Sequence, residues 1–359
     1  MILGSKGQKA VHACMIRLLN LGPAKHEKVA IYVVNQRISN VCRIAGVKYL
    51  LTPTSLQLLS QKGCDHSMTN TETTTVKMPH IQLDASIHAT AAILPGDPAR
   101  VDAIAAFLTD VREEGFNREY KSITGTYKGR RILAISTGMG GPSTAICVEE
   151  LADLGVTDLI RIGSCGALQR DLRLGQLVIC DRAVCDDGTS QTYLDAFAYA
   201  APELAYLTKT DHAGTSFTDT DAVSTDTDAT VRQRPTAICY APADPSLANA
   251  CIAMAQKLRL PYAVGPTRSH DALYLKKKPE LDAFYSTKGV FASDMETASL
   301  FAVGAVRHIR TASILNTVVE WEADLRDGIS SYKDGEAAAA RGEQDEILLA
   351  LETLADIPC

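Results

Sequence analysis

Between Ala89 and Leu168 the chain repeats one scheme. An apolar run too uniformly hydrophobic to be half-exposed ends in glycine, and a helical pattern takes over. "ATAAILPGDPARVDAIAAFL" (89–108) reads as a buried strand, a Gly-Asp-Pro turn and a helix with apolar residues at Val101, Ile104, Ala105 and Leu108. "RRILAISTGMGGPSTAICVEELADLG" (130–155) repeats it with a strand over 131–136 and a helix over 142–154. "TDLIRIGSCGAL" (157–168) supplies a third strand ending in glycines, and "GQLVICDRAVCDDG" (175–188) a fourth. Apolar strands that alternate with helices imply parallel pairing and a sheet covered on both faces, hence an α/β architecture.

The remaining segments divide less cleanly. Residues 1–78 hold short apolar runs among basic residues and then the polar, Thr-rich "CDHSMTNTETTTVKMPH". They read as an N-terminal extension outside a single catalytic domain over 79–359, with residues 1–67 an appendage or the product of a misassigned start. The Thr- and Asp-rich stretch 210–234 reads as a surface insertion. Beyond it the pattern gives a helix near 245–258, the strand "YAVGPT", a basic turn "KKKP" (276–279) and a helix from Met295. The strand "TASILNTVV" (311–319) follows, and then a C-terminal amphipathic helix whose apolar line runs Ile347, Leu351, Leu354.

Charge and cysteine usage narrow the function classes. A net charge of −6 gives no electrostatic case for nucleic acid or an anionic membrane as partner. The ten cysteines include no C-x-x-C pair and no zinc spacing, and so read as a reduced, cytoplasmic protein. No apolar run approaches the roughly 18 residues of a membrane span.

An anionic ligand would need a local cationic cluster, and the strand ends offer one. In "PGDPAR" (95–100), Gly96 follows a strand, and Arg100 lies on the first turn of the next helix. That geometry brings backbone N–H groups and a helix N-terminus to one point. Arg161 leads into "IGSCG" at the end of a separate strand, with the Ser164 hydroxyl beside it. In an open parallel sheet, ligands bind outside the carboxyl ends of the strands. Two arginines, a hydroxyl and glycine N–H groups gathered there suit a phosphate dianion. Each feature alone also fits a purely structural role, since a strand-end arginine can simply pair with an acid. In "ASDMETASLF" (292–301), Asp294 and Glu296 fit helix capping. Glu296 equally suits the grip of a carboxylate on the vicinal hydroxyls of a sugar, with Met295 against the sugar face.

Taken together, "GDPAR", "NREYKS" (117–122), "STGMGGPSTAICVEEL" (136–151), "RIGSCGAL" and "SDMETASL" stand in the order of the nucleoside phosphorylases of family I. Over residues 80–322 the chain most resembles the uridine phosphorylases, in their protozoan form. The resemblance implies a three-layer αβα domain with a mixed central sheet. It implies a phosphate site at Gly96, Arg100, Arg161 and Ser164, with Arg118 reaching the phosphate of a neighbouring subunit. His80 would cross the same interface to the ribose 5′-hydroxyl, so the active unit would be a homodimer or a higher oligomer. Asp294, Met295 and Glu296 would hold the ribose; Asp294 stands where many relatives carry Glu. A cation on the dimer axis would be bound by Glu119, Ser143 and the Met139 carbonyl, with a solvated surface acid as the alternative for Glu119. The resemblance implies no required cofactor. It makes inorganic phosphate the co-substrate and gives the chemistry to Arg100, Arg161 and Glu296. Cys165 is small packing.

For the base, the resemblance points to Gly166, Tyr274 and Asn316. Asn316 occupies the place of an aspartate that protonates purines in purine-specific relatives, and an amide cannot serve as general acid. This favours uridine, giving uracil and ribose 1-phosphate. Purine nucleoside phosphorylase, nucleosidase and a non-catalytic nucleoside binder stand as alternatives. The Gln-x-Arg that holds uracil in bacterial relatives is replaced by lysines 276–278, so Arg268, Gln233 or Arg234 would have to substitute.

Overall fold

The structure, a computed structural model, describes residues 41–44, 47–50, 76–200, 238–333 and 335–358. The insertion expected at 210–234 and most of the N-terminal extension lie outside the described residues. The chain divides into two units, Met1–Thr73 and Thr74–Cys359. In the first, β1 (Val41–Ile44) and β2 (Val47–Leu50) pair antiparallel.

The second unit is built on ten strands and eight helices among the described residues. In chain order they are β3 (Ala91–Pro95), α1 (Pro98–Ala105), β4 (Thr109–Asn117), β5 (Tyr120–Tyr127), β6 (Arg130–Ile135) and α2 (Gly141–Asp153). Next come β7 (Asp158–Ala167), β8 (Leu177–Asp186), α3 (Gly188–Ala200), β9 (Tyr240–Pro242), α4 (Pro245–Leu258) and β10 (Tyr262–His270). The chain ends with α5 (Lys278–Thr287), β11 (Ala292–Asp294), α6 (Thr297–Arg307), β12 (Arg310–Val319), α7 (Leu325–Lys333) and α8 (Ala337–Asp356). The sheet order is β11-β10-β8-β12-β7-β3-β6-β5-β4, with β9 on β8. The βαβ connections give parallel pairs (β3 with β6 and β7, β7 with β12, β8 with β10, β10 with β11). The pairs β4–β5, β5–β6, β8–β12, β8–β9 and β7–β11 are antiparallel, so the sheet is mixed. Because β11 also pairs with β7, strands β7, β12, β8, β10 and β11 close into a ring at one end of the sheet.

Both faces are covered, and β3 shows why its sequence is apolar throughout. Ala92 and Leu94 face one core with Val148 and Leu151 of α2 and Leu300 and Val303 of α6. Ala91 and Ile93 face the other with Val101 and Ile104 of α1, Leu247 of α4, and Ile347, Leu351 and Leu354 of α8. The helix starts follow local chemistry. Asp97 Oδ1 accepts from Ala99 N at 2.9 Å and Asp244 Oδ1 from Leu247 N at 2.9 Å, each just before a helix opened by proline.

Three sequence expectations shift. "KKKP" is a turn only through Lys277; Lys278 opens α5, because Pro279 is preorganised for a first helical turn. The helix expected from Met295 begins at Thr297, after the short strand β11. Arg161 is not at a strand end: β7 runs on through "GSCG" to Ala167, because Gly166 and Ala167 pair with β11.

Candidate active site

Arg161 and Arg100 define the centre. Arg161 lies in the middle of β7, opposite Leu94 of β3 and Ser313 of β12. Its side chain folds back over the strand: a Cβ at position 163 would lie 2.6 Å from Nη2 and 2.9 Å from Cζ. Gly163 is therefore demanded by close approach, not by a turn. Nε donates to Asp294 Oδ2 at 3.2 Å and Nη2 to Glu296 Oε2 at 2.5 Å. Nη1 is buried and has no hydrogen-bond partner among the described residues, and it lies beside Gly96, where a Cβ would come within 3.9 Å of it. Burial works against the charged form of Arg161, but Glu296 and Asp294 outweigh it and hold the pKa above its ordinary value.

Arg100, on the first turn of α1, is buried in the same cluster. Nη2 reaches Ser164 Oγ at 3.3 Å and the Tyr332 hydroxyl at 2.7 Å. Nε lies 3.3 Å from Glu343 Oε2, and Nη1 lies 3.1 Å from Glu346 Oε1. The expected phosphate residues Gly96, Arg100, Arg161 and Ser164 are thus brought together. Arg118 is not among them: it is exposed on the β4–β5 turn at φ +54°, a left-handed conformation uncommon for a non-glycine residue.

Tyr332, Glu343 and Glu346 were not foreseen. Glu346 carried a faint signal, since it interrupts the line of small and apolar positions Ala339, Gly342, Ala350 and Thr353 that α8 buries. Glu346 is fully buried and its Oε2 accepts from Gly163 N at 3.1 Å, which ties α8 to β7. Burial pushes its carboxyl up to about 8, against the pull of Arg100.

The ribose candidates separate in role. Glu296 Oε1 accepts from Gly140 N at 2.6 Å, and Gly140 holds φ +98°, which a side chain would disfavour. Burial raises the Glu296 pKa, opposed by Arg161. Met295 is half-buried beside it. Asp294 does not offer a free carboxylate. Oδ1 accepts from Ser269 Oγ at 2.6 Å, and Oδ2 accepts from Thr297 N at 3.0 Å, Thr297 Oγ1 at 2.6 Å and Arg161 Nε. Asp294 therefore anchors the start of α6 and Arg161.

The base candidates converge least. Asn316 is fully buried; its Nδ2 donates to Ala339 O of α8 at 2.8 Å, and its Oδ1 has no hydrogen-bond partner among the described residues. Tyr274 is 66% exposed with the Arg326 guanidinium 5.3 Å from its ring centre. Gly166 is half-buried at the β7–β11 pairing. Arg268 is taken up by Asp186 at 2.6 Å and by Asp282, with its guanidinium 4.8 Å from the Tyr285 ring centre. Lys278 pairs with Asp282, while Gln233 and Arg234 lie outside the described residues.

Around the edge, His80 Nδ1 lies 2.6 Å from Glu150 Oε1. Ser143 Oγ lies 3.3 Å from the Met139 carbonyl, and Glu119 packs so closely on Gly138 that a Cβ there would stand 2.8 Å from its Cβ and Cγ. These three expected cation donors thus adjoin one loop. Cys165 is buried, and burial pushes its thiol up, which leaves it protonated and inert.

Comparison with known proteins fits this geometry. The family described as the phosphorylase superfamily matches residues 90–354. A uridine phosphorylase of Treponema pallidum is 32% identical over 246 residues, 66% of this chain and 80% of that protein. A guanosine phosphorylase of Halorubrum lacusprofundi is 31% identical over 238 residues, covering 66% and 81%. Among solved structures, a uridine phosphorylase from Vibrio fischeri superposes with a TM-score of 0.61 at 32% identity, over 78% of this chain and 97% of that one. The chain belongs to the phosphorylase superfamily, among the nucleoside phosphorylases of family I. It is accordingly an enzyme of the pentosyltransferase type.

Proposed function

We propose that the chain catalyses phosphorolysis of uridine, with inorganic phosphate as co-substrate and uracil and ribose 1-phosphate as products. The observation that carries the reading is the Arg161–Glu296 contact at 2.5 Å, with Arg161 Nη1 left free beside Gly96. The anion ligand and the sugar ligand touch, so an anion on Arg161 lies next to a sugar gripped by Glu296. Phosphate attacks the anomeric carbon, the C–N bond breaks with its electron pair going to the base, and phosphate oxygen forms the new C–O bond. The transition state is an oxocarbenium-like sugar beside a fixed dianion, and catalysis is by positioning and electrostatics. No protein nucleophile is needed, in keeping with the inert Cys165.

Uridine is favoured over purines because Asn316, in the place of a purine-protonating acid, is an amide; relatives bearing uridine, guanosine and purine phosphorylase names all match the chain over most of their length. Exposed Arg118, paired His80, and the Glu119, Met139 and Ser143 group fit an oligomer in which neighbours complete each other's sites around a cation. The test is a panel of uridine, thymidine, inosine, guanosine and adenosine, with and without phosphate. Uracil release that requires phosphate is expected. Guanosine or inosine turnover exceeding uridine overturns the base assignment, and equal rates without phosphate mean a nucleosidase.

A further inference from the structure

The cradle carries more acid than its arginines can balance. Arg100 and Arg161 face four carboxylates: Asp294 and Glu296 on Arg161, Glu343 and Glu346 on Arg100. A phosphate dianion entering this cluster would meet a surplus of negative charge in a water-poor site, where each uncompensated charge is costly. One carboxylate must surrender its charge. Glu343 is partly solvated, with 24% of its side chain exposed, whereas Glu346 has none. Glu346 is also the acid wedged between the two halves of the cradle. Oε1 lies 3.1 Å from Arg100 Nη1 without hydrogen-bond alignment, and Oε2 accepts from the Gly163 N–H on the strand that carries Arg161. Its charged and titratable surroundings are Arg100 of α1, Arg161 and Cys165 of β7, Tyr332 of α7 and Glu343 of α8 itself. Of these, only the two guanidiniums favour its ionised form.

We propose that Glu346 is a positioning residue that couples phosphate binding to the uptake of one proton. This rests on the phosphorolysis reading. Without ligand, and above its own pKa, the carboxylate is the counter-ion of Arg100 and holds Gly163 in place. When the dianion arrives, Glu346 takes a proton from solvent, and Arg100 turns its whole charge to the phosphate. The neutral carboxyl still accepts the Gly163 N–H, so the loop geometry is kept while the competing charge is removed. A carboxyl held up to about 8 by burial is ionised without ligand only above that pH, so the exchange is poised on the alkaline side of neutral.

The experiment is calorimetric titration of the full chain with inorganic phosphate at about pH 9, in buffers of different ionisation enthalpy. Phosphate is already dianionic there, so protons taken from the buffer go to the protein. Wild type should take up on the order of half a proton or more per phosphate bound, and E346Q, neutral at every pH, should take up none. Phosphate that binds wild type without proton uptake overturns the proposal and leaves the phosphorolysis reading standing. Uptake unchanged in E346Q overturns it too and moves the proton to Glu296. A wild type that binds no phosphate overturns both readings. Should E346Q fail to fold, the wild-type affinity decides. It should weaken about tenfold per pH unit above the Glu346 pKa, and an affinity flat to about pH 9.5 refutes the coupling.

Discussion

Replacing Arg161 by alanine tests the centre of the site. The guanidinium does three things at once: Nε fixes Asp294, Nη2 fixes Glu296, and Nη1 is left for the anion. Loss of a preorganised charge-stabilising donor costs about 3 kcal/mol of transition-state stabilisation, or on the order of 10²-fold in kcat/KM. The same change strips two buried carboxylates, 1% and 7% exposed at the side chain, of their counter-ion. Breaking a buried pair in this way costs roughly 3–5 kcal/mol of stability. The two effects are separated by thermal melting beside phosphate-dependent uracil release on the folded fraction. Arg161→Lys keeps the charge on a single ammonium, which cannot serve Asp294, Glu296 and phosphate together. It should recover most of the stability and little of the rate, at least about tenfold below wild type. A folded R161A protein within about threefold of wild-type kcat/KM would refute the phosphate assignment.

Two further perturbations follow from close approach and burial. Gly163→Ala places a methyl 2.6 Å from Arg161 Nη2 and should cost about tenfold or more in kcat/KM by pushing the guanidinium off Glu296; unchanged kinetics in a folded G163A would show that the close approach is dispensable. His270 is buried, and burial first, then Arg268 and Lys278, lowers its pKa from 6.5 to about 4. The native state therefore holds His270 neutral while the unfolded chain protonates it, so stability present above pH 6.5 is lost as pH falls through 4. The loss amounts to about 3 kcal/mol. His270→Asn should flatten the acid side of a melting-temperature profile between pH 6.5 and 4, and parallel profiles would exclude His270 as the cause.

The sheet was legible where burial on both faces makes strands uniformly apolar. "AAILP", "ILAI" and "LVIC" announce themselves, and Asp97 and Asp244 mark helix starts by a mechanism that is local in sequence. The β4–β5 hairpin was not legible, because the polar edge strand "TDVREEGFN" (109–117) is mostly exposed and has no alternating apolar face to betray it. Nor was the run of β7 beyond Arg161. Glycines after an apolar segment look like a turn until a second strand, β11, arrives from 125 to 127 residues later in the chain to pair with Gly166 and Ala167.

The site divides along the same line. Its cations and hydroxyl sit in short motifs whose spacing is visible in the sequence, so Gly96, Arg100, Arg161 and Ser164 could be named in advance. Their counter-ions come from chain segments far away. Glu346 meets Arg100 across 246 positions, and Asp294 meets Arg161 across 133. No motif records such pairings; only the sheet order and the docking of α8 on the β7 side of the core create them. The affinity of an anion site depends on the difference between its cations and its buried acids, and the second quantity is tertiary. The C-terminal helix, read from sequence as amphipathic, thus brings Glu343 and Glu346 to Arg100. For this chain a substitution in α8 should alter phosphate binding as directly as one in the glycine-rich motifs.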